Sequence, residues 1–429
     1  MRYQAVLNYA MSPSEPSTTS IQLYLDEHLP GYLELLHQMV GVNSFSTNAR
    51  GVDTLAELTA EIFASLGFDE KRVQSADFLY GQHLVLTRQG KPGADGQPAP
   101  VIGLISHLDT VYPAVEEEAN DFHWRVEGDR IYGPGTVDIK GGTVMIYMIL
   151  DTLRQFFPDV YNNVTWVVLV NAAEEALIVD FGDVCREHLQ GARAALVFEG
   201  GQSDGQHYRI VTSRKGMARY HITVEGKSAH AGTSHASGAN AIVQLADVIQ
   251  QVADFTDYEN DLTFNVGTIL GGTVINRVPH QAAASVEMRA FTPDVFEVGV
   301  EKMLSLNDYC SVRSVQEGYP CRVRVMMTHR WEPWPENETT EQLLTYWQSA
   351  ASALGWEIVP EARGGLSDGN LIWRDLPAID GLGPSGGNAH SSERSEDGAK
   401  DQEYVQTSTF VPKAILNTFA ILNLLDQGA

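Results

Sequence analysis

The stretch Val101-Ile-Gly-Leu-Ile-Ser-His-Leu-Asp-Thr110 decides the expected fold, because an apolar run ends there on two potential ligands. Such a run is typical of a strand buried in a parallel sheet. Residues two apart on a strand point to the same side, so His107 and Asp109 are expected to face one cleft. The glycine-rich segment 131–142 then places Asp138 just before a helical segment. One imidazole and two carboxylates near strand ends indicate the beginning of a hydrolytic metal site.

Apolar runs and segments of helical periodicity alternate on both sides of this stretch. Strands are predicted at residues 164–170 and 194–198, and helices at 21–40 and 143–156. This alternation is typical of an α/β domain whose sheet is covered by helices. We therefore expect the larger part of the chain to form one α/β domain.

Between residues 214 and 327 the pattern changes to the order strand, helix, strand, strand, helix, strand. This split-βαβ order predicts a ferredoxin-like domain. We expect it to be inserted into the larger domain, which would comprise residues 21–213 and 328–429. Residues 1–20 end in a Pro/Ser/Thr cluster and are expected to form a loose tail. The predicted elements of the inserted domain are strands at 218–224, 262–270, 282–289 and 322–327, and helices at 240–255 and 293–306.

The formal net charge of −26 argues against nucleic acid or an anionic membrane as a partner, since both require positive counter-charge. Only 3 cysteines occur, widely spaced, so neither a disulfide framework nor a Cys-type zinc site is indicated. The N-terminus does not read as a signal peptide, and no apolar run is expected to be long enough to cross a membrane. The composition favours a soluble, cytoplasmic protein.

Potential ligands follow each predicted buried strand, where α/β enzymes keep their chemistry. Taken singly, a buried histidine is more often a core residue, and the pair Glu174-Glu175 could begin a solvated helix. Taken together, two imidazoles and several carboxylates suit Zn²⁺, with Mn²⁺ or Co²⁺ as possible substitutes. The candidates are His107, Asp109, Asp138, Glu174, Glu175, Glu199 and His390.

Motifs spread over most of the chain resemble one known family. They include SHLDTVYP, YGPGTVDIKGG, NAAEEA, VFEGG, KGMARYHITVEGKSAHAG, INRVPHQAAASVEMRA and GPSGGNAHSSER. The sequence resembles the acetylornithine deacetylase / succinyl-diaminopimelate desuccinylase / glutamate carboxypeptidase family of dinuclear zinc metallopeptidases, and most of all its glutamate-carboxypeptidase-like members. The resemblance implies a zinc-peptidase-type mixed sheet flanked by helices, with the inserted ferredoxin-like domain serving as a lid and dimerisation domain.

The resemblance also implies a role for each candidate ligand. His107 and Glu199 would bind one zinc ion, and Glu175 and His390 the other. Asp138 would bridge the two ions. With Asp138, Glu175 and Glu199 carrying −3 and a bound hydroxide −1, two divalent ions would leave the site neutral.

Further residues would support the reaction. Asp109 would accept a hydrogen bond from His107 and fix its ring, and Glu174 would be the general base. The resemblance implies a cis peptide bond between Asp138 and Ile139. His230 is the candidate oxyanion donor and could reach across a dimer interface, although a loop histidine without a role is the alternative.

The substrates of this family end in a free carboxylate, which requires a positively charged partner. Arg289 is the predicted clamp, because a guanidinium binds a carboxylate through two hydrogen bonds. Asn276 would assist, and Gly386 and Gly387 could offer N–H groups to the substrate. The alternatives are an edge-strand salt bridge for Arg289 and an ordinary turn for the two glycines.

The sequence thus predicts a homodimeric, zinc-dependent amidohydrolase that acts on an N-acyl amino acid or a short peptide. Carboxypeptidase action, through a water that bridges two zinc ions, is the leading version. Deacylation of N-acyl amino acids and dipeptidase action are alternatives within the family, and Glu199, rather than Asp, leans towards acylated substrates. The alternative from another class is a non-catalytic metal-binding scaffold.

Overall fold

The computed structural model describes residues 16–93 and 96–426, so residues 1–15 of the expected tail lie outside the described residues. The remainder of that expectation needs a correction. Helix α1 begins at Thr18 rather than at residue 21. The side chain of Ser17 accepts the main-chain N–H of Ser20 at 3.2 Å, and this cap starts the helix early.

Helices and strands alternate along most of the described chain. The helices are α1 (Thr18–Val40), α2 (Ala49–Ala64), α3 (Ala114–Ala119), α4 (Gly141–Phe156), α5 (Pro158–Asn163), α6 (Phe181–His188), α7 (Ala241–Asp254), α8 (Pro293–Leu304), α9 (Glu338–Leu354), α10 (Gly369–Ile372) and α11 (Phe410–Asp426). The strands are β1 (Asp69–Gln74), β2 (Gln82–Arg88), β3 (Val101–His107), β4 (Arg125–Glu127), β5 (Arg130–Tyr132), β6 (Thr165–Asn171), β7 (Ala194–Val197), β8 (Gln202–Ser203), β9 (His207–Arg214), β10 (Gly216–Glu225), β11 (Thr263–Gly271), β12 (Gln281–Ala290), β13 (Arg322–Trp331), β14 (Glu357–Arg363), β15 (Ala378–Ile379), β16 (Gly386–Gly387) and β17 (Tyr404–Gln406).

The chain divides into two compact units. The first contains the residues up to Ile210, Gln342–Val359 and the residues from Ile379 onward. The second contains Val211–Glu341 and Pro360–Ala378, and thus interrupts the first in sequence. The domain boundaries expected at residues 214 and 327 stay predictions.

A six-stranded sheet with the order β1-β2-β6-β3-β7-β15 forms the centre of the first unit. Strand β3 runs parallel to β6 and β7, whereas β2 runs antiparallel to β1 and β6, so the sheet is mixed. Every residue of β6 is buried, as the continuous apolar run predicts. Apolar residues of α1, α4 and α11 join the same core. These features confirm the predicted α/β class.

The expectation that no apolar run is long enough to cross a membrane was wrong for the segment that contains helix α11. By length and composition alone, Thr407–Asp426 is long enough and apolar enough to cross a membrane, with a mean hydropathy of 1.3. However, 61% of its most apolar part is buried inside the protein, including Phe410, Leu416 and Ile421. Burial of this kind is typical of a core helix in a globular fold.

The second unit contains a four-stranded sheet with the order β11-β12-β10-β13, and all neighbouring strands are antiparallel. Residues alternate between buried and less buried along β12, and Ala284, Val286 and Met288 share a core with α7 and α8. Asn240 caps α7 by accepting the N–H groups of Ile242 and Val243. The strand and helix order confirms the predicted ferredoxin-like fold.

The close approach of Gly142 in α4 to Phe198, which follows β7, can be tested by substitution. A Cβ atom there would lie 2.0 Å from the main-chain oxygen of Phe198, which cannot move without shifting β7. Gly142→Ala should therefore lower the free energy of unfolding by about 1–3 kcal/mol, measured by urea denaturation. Gly31→Ala is the matched control, because a Cβ at this position in α1 would meet nothing within 4 Å. It should raise stability by up to about 1 kcal/mol, and equal effects of the two substitutions would contradict this packing.

Candidate metal centre

Three neighbouring parallel strands bring predicted ligands to one edge of the first unit's sheet. His107 is the last residue of β3. Glu174 and Glu175 follow β6, and Glu199 follows β7. Because the carboxyl ends of parallel strands lie at the same edge, these side chains approach one another although they are distant in sequence.

Asp138 lies in the turn Thr136–Lys140, between β5 and α4. The turn begins after Gly135, whose φ of 75° is a left-handed conformation that glycine adopts readily. The peptide bond between Asp138 and Ile139 is cis, as the resemblance implies. The two carboxylate oxygens of Asp138 lie 3.1 Å from Nε2 of His107 and 3.3 Å from Nε2 of His390. Asp138 is thus held between the two imidazoles.

Two sets of potential ligands share Asp138. His107, Asp138 and Glu199 form one set, and Asp138, Glu175 and His390 form the other; within each set the ligand atoms lie within 4.8 Å of one another. Nε2 of His390 lies 3.1 Å from Oε1 of Glu175, and Nε2 of His107 lies 3.8 Å from Oε1 of Glu199. A shared carboxylate with an imidazole and a second carboxylate on either side suits a pair of adjacent divalent cations.

The ring of His107 is oriented through its other nitrogen. Nδ1 lies 2.9 Å from the main-chain oxygen of Asp109 and 3.5 Å from Oδ1 of its carboxylate. The main-chain oxygen is therefore the nearer acceptor, whereas the resemblance implied the Asp109 carboxylate. With Nδ1–H donated in this way, Nε2 is the atom available to a cation. The nitrogen and oxygen donors of both sets fit Zn²⁺, and also Mn²⁺ or Co²⁺.

Burial and the contacts between carboxylates and imidazoles shift several pKa values in this cluster. Burial, together with the charge of Asp138, raises the pKa of Glu175 to about 7. Burial would also raise the pKa of Asp138, but hydrogen bonds from His107 and His390 outweigh it and lower that pKa. Hydrogen bonds to Asp138 and Glu175 raise the pKa of His390 to about 11. Protonated imidazole thus supplies positive charge that a bound cation would replace.

The carboxylate of Asp109 orders the turn that carries Glu174 and Glu175. Oδ1 accepts the N–H of Glu174 at 3.0 Å, and Oδ2 accepts the N–H of Glu175 at 3.1 Å. The hydroxyl of Ser46 also donates to Oδ2, at 2.7 Å. Glu174 is only 7% exposed and forms a third set of potential ligands with His107 and Glu175. The candidate base therefore has a fixed main chain beside the ligands.

Sequence reasoning missed two buried residues that contact the Asp138 turn. Glu403 accepts the N–H groups of Val137 and Asp138, and the hydroxyl of Tyr112 donates to its other carboxylate oxygen. Tyr112 belongs to the motif SHLDTVYP, which is a usable signal. The sequence indicates Glu403 less clearly, because it is only a charged residue that directly precedes the short strand β17.

Gly386 and Gly387 form the short strand β16, which pairs with β17. A Cβ at Gly386 would lie 2.2 Å from the main-chain oxygen of Tyr404, so this approach requires glycine. A Cβ at Gly387 would lie 3.0 Å from the Tyr404 hydroxyl. That these glycines offer N–H groups to a substrate stays a prediction.

The remaining predicted site residues belong to the second unit. Arg289 donates from Nε to Glu287 and from Nη1 to the main-chain oxygen of Gly364, each at 2.7 Å. Asn276 is exposed in the segment between β11 and β12. His230 is also exposed, and its Nδ1 accepts two main-chain N–H groups at 3.1 Å. This acceptor role assigns the ring hydrogen to Nε2 of the neutral imidazole.

Comparison with known proteins gives concordant results. A family model described as the peptidase dimerisation domain matches residues 212–311. Carboxypeptidase G2 of Pseudomonas sp. (strain RS-16) is 27% identical over 405 residues, covering 93% of this chain and 90% of that protein. The crystal structure of aminopeptidase PepT from Bacillus cereus is similar with a TM-score of 0.72 at 19% identity, covering 92% of this chain and 99% of that one. A dinuclear metal-binding peptidase of the M20 family from Bacillus subtilis gives a TM-score of 0.63 at 13% identity, covering 94% and 99%.

The fold and the clustered imidazole and carboxylate groups define a hydrolase of the metallopeptidase class. The chain is similar to metallopeptidases of the M20 family, and the matches support its placement there. This confirms the family resemblance that the sequence motifs indicated.

The contacts of Asp109 lead to a second prediction. Asp109 is fully buried. In Asp109→Asn, the amide nitrogen would replace one of the two carboxylate oxygens and would face an N–H or O–H donor that now has an acceptor. We expect the free energy of unfolding to fall by about 1–3 kcal/mol, measured by urea denaturation. Asp204→Asn is the matched control, because Asp204 also accepts two consecutive N–H groups, of Gln206 and His207, but is exposed. Its effect should stay within about 0.5 kcal/mol; a loss as large as that of Asp109→Asn would contradict the role of burial.

Proposed function

We propose that this chain hydrolyses the amide bond of an N-acyl amino acid or short peptide with a free C-terminal carboxylate. Carboxypeptidase action, which releases the C-terminal amino acid, is the leading version. The observation that carries the proposal is the position of Asp138 in two ligand sets, with the buried Glu174 close to His107 and Glu175. Similarity to carboxypeptidase G2 over 93% of the chain supports this choice.

Two zinc ions are the proposed cofactors, since the donor atoms fit them. His107 and Glu199 would hold one ion, Glu175 and His390 the other, and Asp138 both. The carboxylates of these sets supply −3 against a charge of +4, so two ions would balance this negative charge and leave +1 for a bound hydroxide to neutralise. When bound, two such ions would polarise the scissile carbonyl and lower the pKa of the attacking water.

Glu174 is the proposed general base. Its carboxylate would take a proton from the attacking water and pass it to the leaving nitrogen, so that the amide bond breaks without a covalent intermediate. The hydrogen bond from its N–H to Asp109 fixes the main chain that carries it. Low exposure also limits exchange of this proton with bulk water.

Substrate binding is proposed for residues of the second unit. Nε2–H of His230 would donate to the oxyanion of the tetrahedral intermediate. The guanidinium of Arg289 would bind the substrate carboxylate, with Asn276 beside it. The match to a peptidase dimerisation domain over residues 212–311 includes all three residues. It supports the further proposal that the chain forms a homodimer through this region and that His230 acts across the dimer.

Glu174→Gln separates catalysis from metal binding. The amide cannot accept the proton of the attacking water, so kcat should fall by about 10²–10⁴-fold. Elemental analysis should still find two equivalents of metal, because Glu174 belongs to neither of the two sets that share Asp138. Glu175→Gln is the comparison variant and should lose metal as well as activity. Turnover of Glu174→Gln near that of the unaltered protein would refute the assignment.

The reaction itself is tested with purified protein and a substrate panel. Elemental analysis should find two equivalents of a transition metal. N-acyl amino acids and dipeptides are then assayed with and without a chelator, and we expect chelator-sensitive release of the C-terminal amino acid. Activity that survives complete metal removal, or the absence of hydrolysis by the metal-loaded protein, would reject the proposed function. Preference for acyl amino acids over dipeptides would separate deacylation from peptidase action.

A further inference from the structure

Glu403 is a fully buried carboxylate that contacts the Asp138 turn. One oxygen, Oε1, accepts the N–H of Val137 at 2.9 Å and the N–H of Asp138 at 3.1 Å. The other oxygen, Oε2, accepts the hydroxyl of Tyr112 at 2.8 Å. Three donors therefore converge on one side chain that belongs to none of the potential ligand sets.

The two main-chain donors lie where regular hydrogen bonding is interrupted. Asp138 and Ile139 have non-helical φ and ψ values inside the turn that precedes α4. A buried N–H group without an acceptor is unfavourable, so an acceptor from elsewhere in the fold is needed to hold this conformation. Glu403 supplies that acceptor for two consecutive residues.

The position of the Asp138 main chain sets the position of its carboxylate. That carboxylate lies between His107 and His390 and is common to both ligand sets. A displacement of the turn would therefore weaken both sets together, whereas loss of Glu199 or Glu175 would affect one set first.

We propose that Glu403, supported by Tyr112, is a positioning residue that holds Asp138 where two metal ions share it. This inference rests on the proposed function, because it takes Asp138 as the common ligand. Glu403 acts through hydrogen bonds to the main chain, and touches neither substrate nor metal. Its geometry, rather than its charge, is the property that matters.

Asp151 is a matched reference for a purely structural carboxylate. It is buried in the same unit and accepts the hydroxyls of Tyr24 and Tyr32 at 2.8 and 2.7 Å. It belongs to none of the potential ligand sets. Asp151→Ala should therefore lower thermal stability, as Glu403→Ala should, but without changing metal binding.

The experiment titrates the metal-free full-length protein with Co²⁺ and records binding heat and the visible absorption spectrum. For Glu403→Ala we expect affinity to fall about 10- to 100-fold for both equivalents, with a changed spectrum. Glu403→Gln keeps an oxygen for the two N–H groups and offers its amide to Tyr112, so it should stay within about threefold of the unaltered protein. Glu403→Asp keeps the charge but withdraws the acceptor by roughly 1.5 Å, and should weaken binding at least tenfold.

If Glu403→Ala does not fold, Glu403→Asp and Glu403→Gln still show whether the position of the acceptor oxygen or the charge of Glu403 is the property that metal binding requires. Weak binding by Glu403→Asp with near-normal binding by Glu403→Gln supports the inference, and the reverse order overturns it. The inference is also overturned if Glu403→Ala or Glu403→Asp leaves the Co²⁺ affinity and the spectrum unchanged. It is overturned as well if Asp151→Ala changes them as strongly as the Glu403 variants do. If the unaltered protein binds fewer than two equivalents, the proposed function fails instead, so the two failures are distinguishable.

Discussion

The carboxylate of Asp138, held between the imidazoles of His107 and His390, is the interaction on which the site depends. Its oxygens lie 3.1 and 3.3 Å from the two Nε2 atoms. One side chain thereby sets the spacing between two ligand sets, and the strand ends that carry Glu175 and Glu199 are arranged around it. Burial of this much negative charge is unfavourable unless positive charge is present, which is the physical reason that the site fits divalent cations.

Two buried carboxylates outside the pair of sets that share Asp138 stabilise the turns that carry the ligands. Asp109 accepts the consecutive N–H groups of Glu174 and Glu175, and Glu403 accepts those of Val137 and Asp138. Each carboxylate also accepts a hydroxyl. Three donors on each side chain offset much of the cost of removing its charge from water. The ligands are therefore fixed through their main chain as well as through one another.

The elements near the site were predictable where the chain has a strong local pattern. Continuous apolar runs indicated β3, β6 and β7, and with them the placement of His107 and Glu199 at strand ends. Patterns alone failed at the start of α1, where a cap at Ser17 extends the helix. The expectation that no apolar run is long enough to cross a membrane was wrong at α11, although the apolar residues of this helix pack in the core. Composition describes how apolar a helix is, and only packing shows what covers it.

By itself, the sequence determined the α/β and ferredoxin-like patterns, the family and the candidate ligands, because strand periodicity and motif spacing are local properties of the chain. Only the tertiary structure decided that His390 meets Glu175 across 215 positions and that Tyr112 meets Glu403 across 291. It also placed the nearer acceptor for His107 on the main chain of Asp109. Contacts between segments so far apart follow from how the whole core packs, which no local pattern encodes.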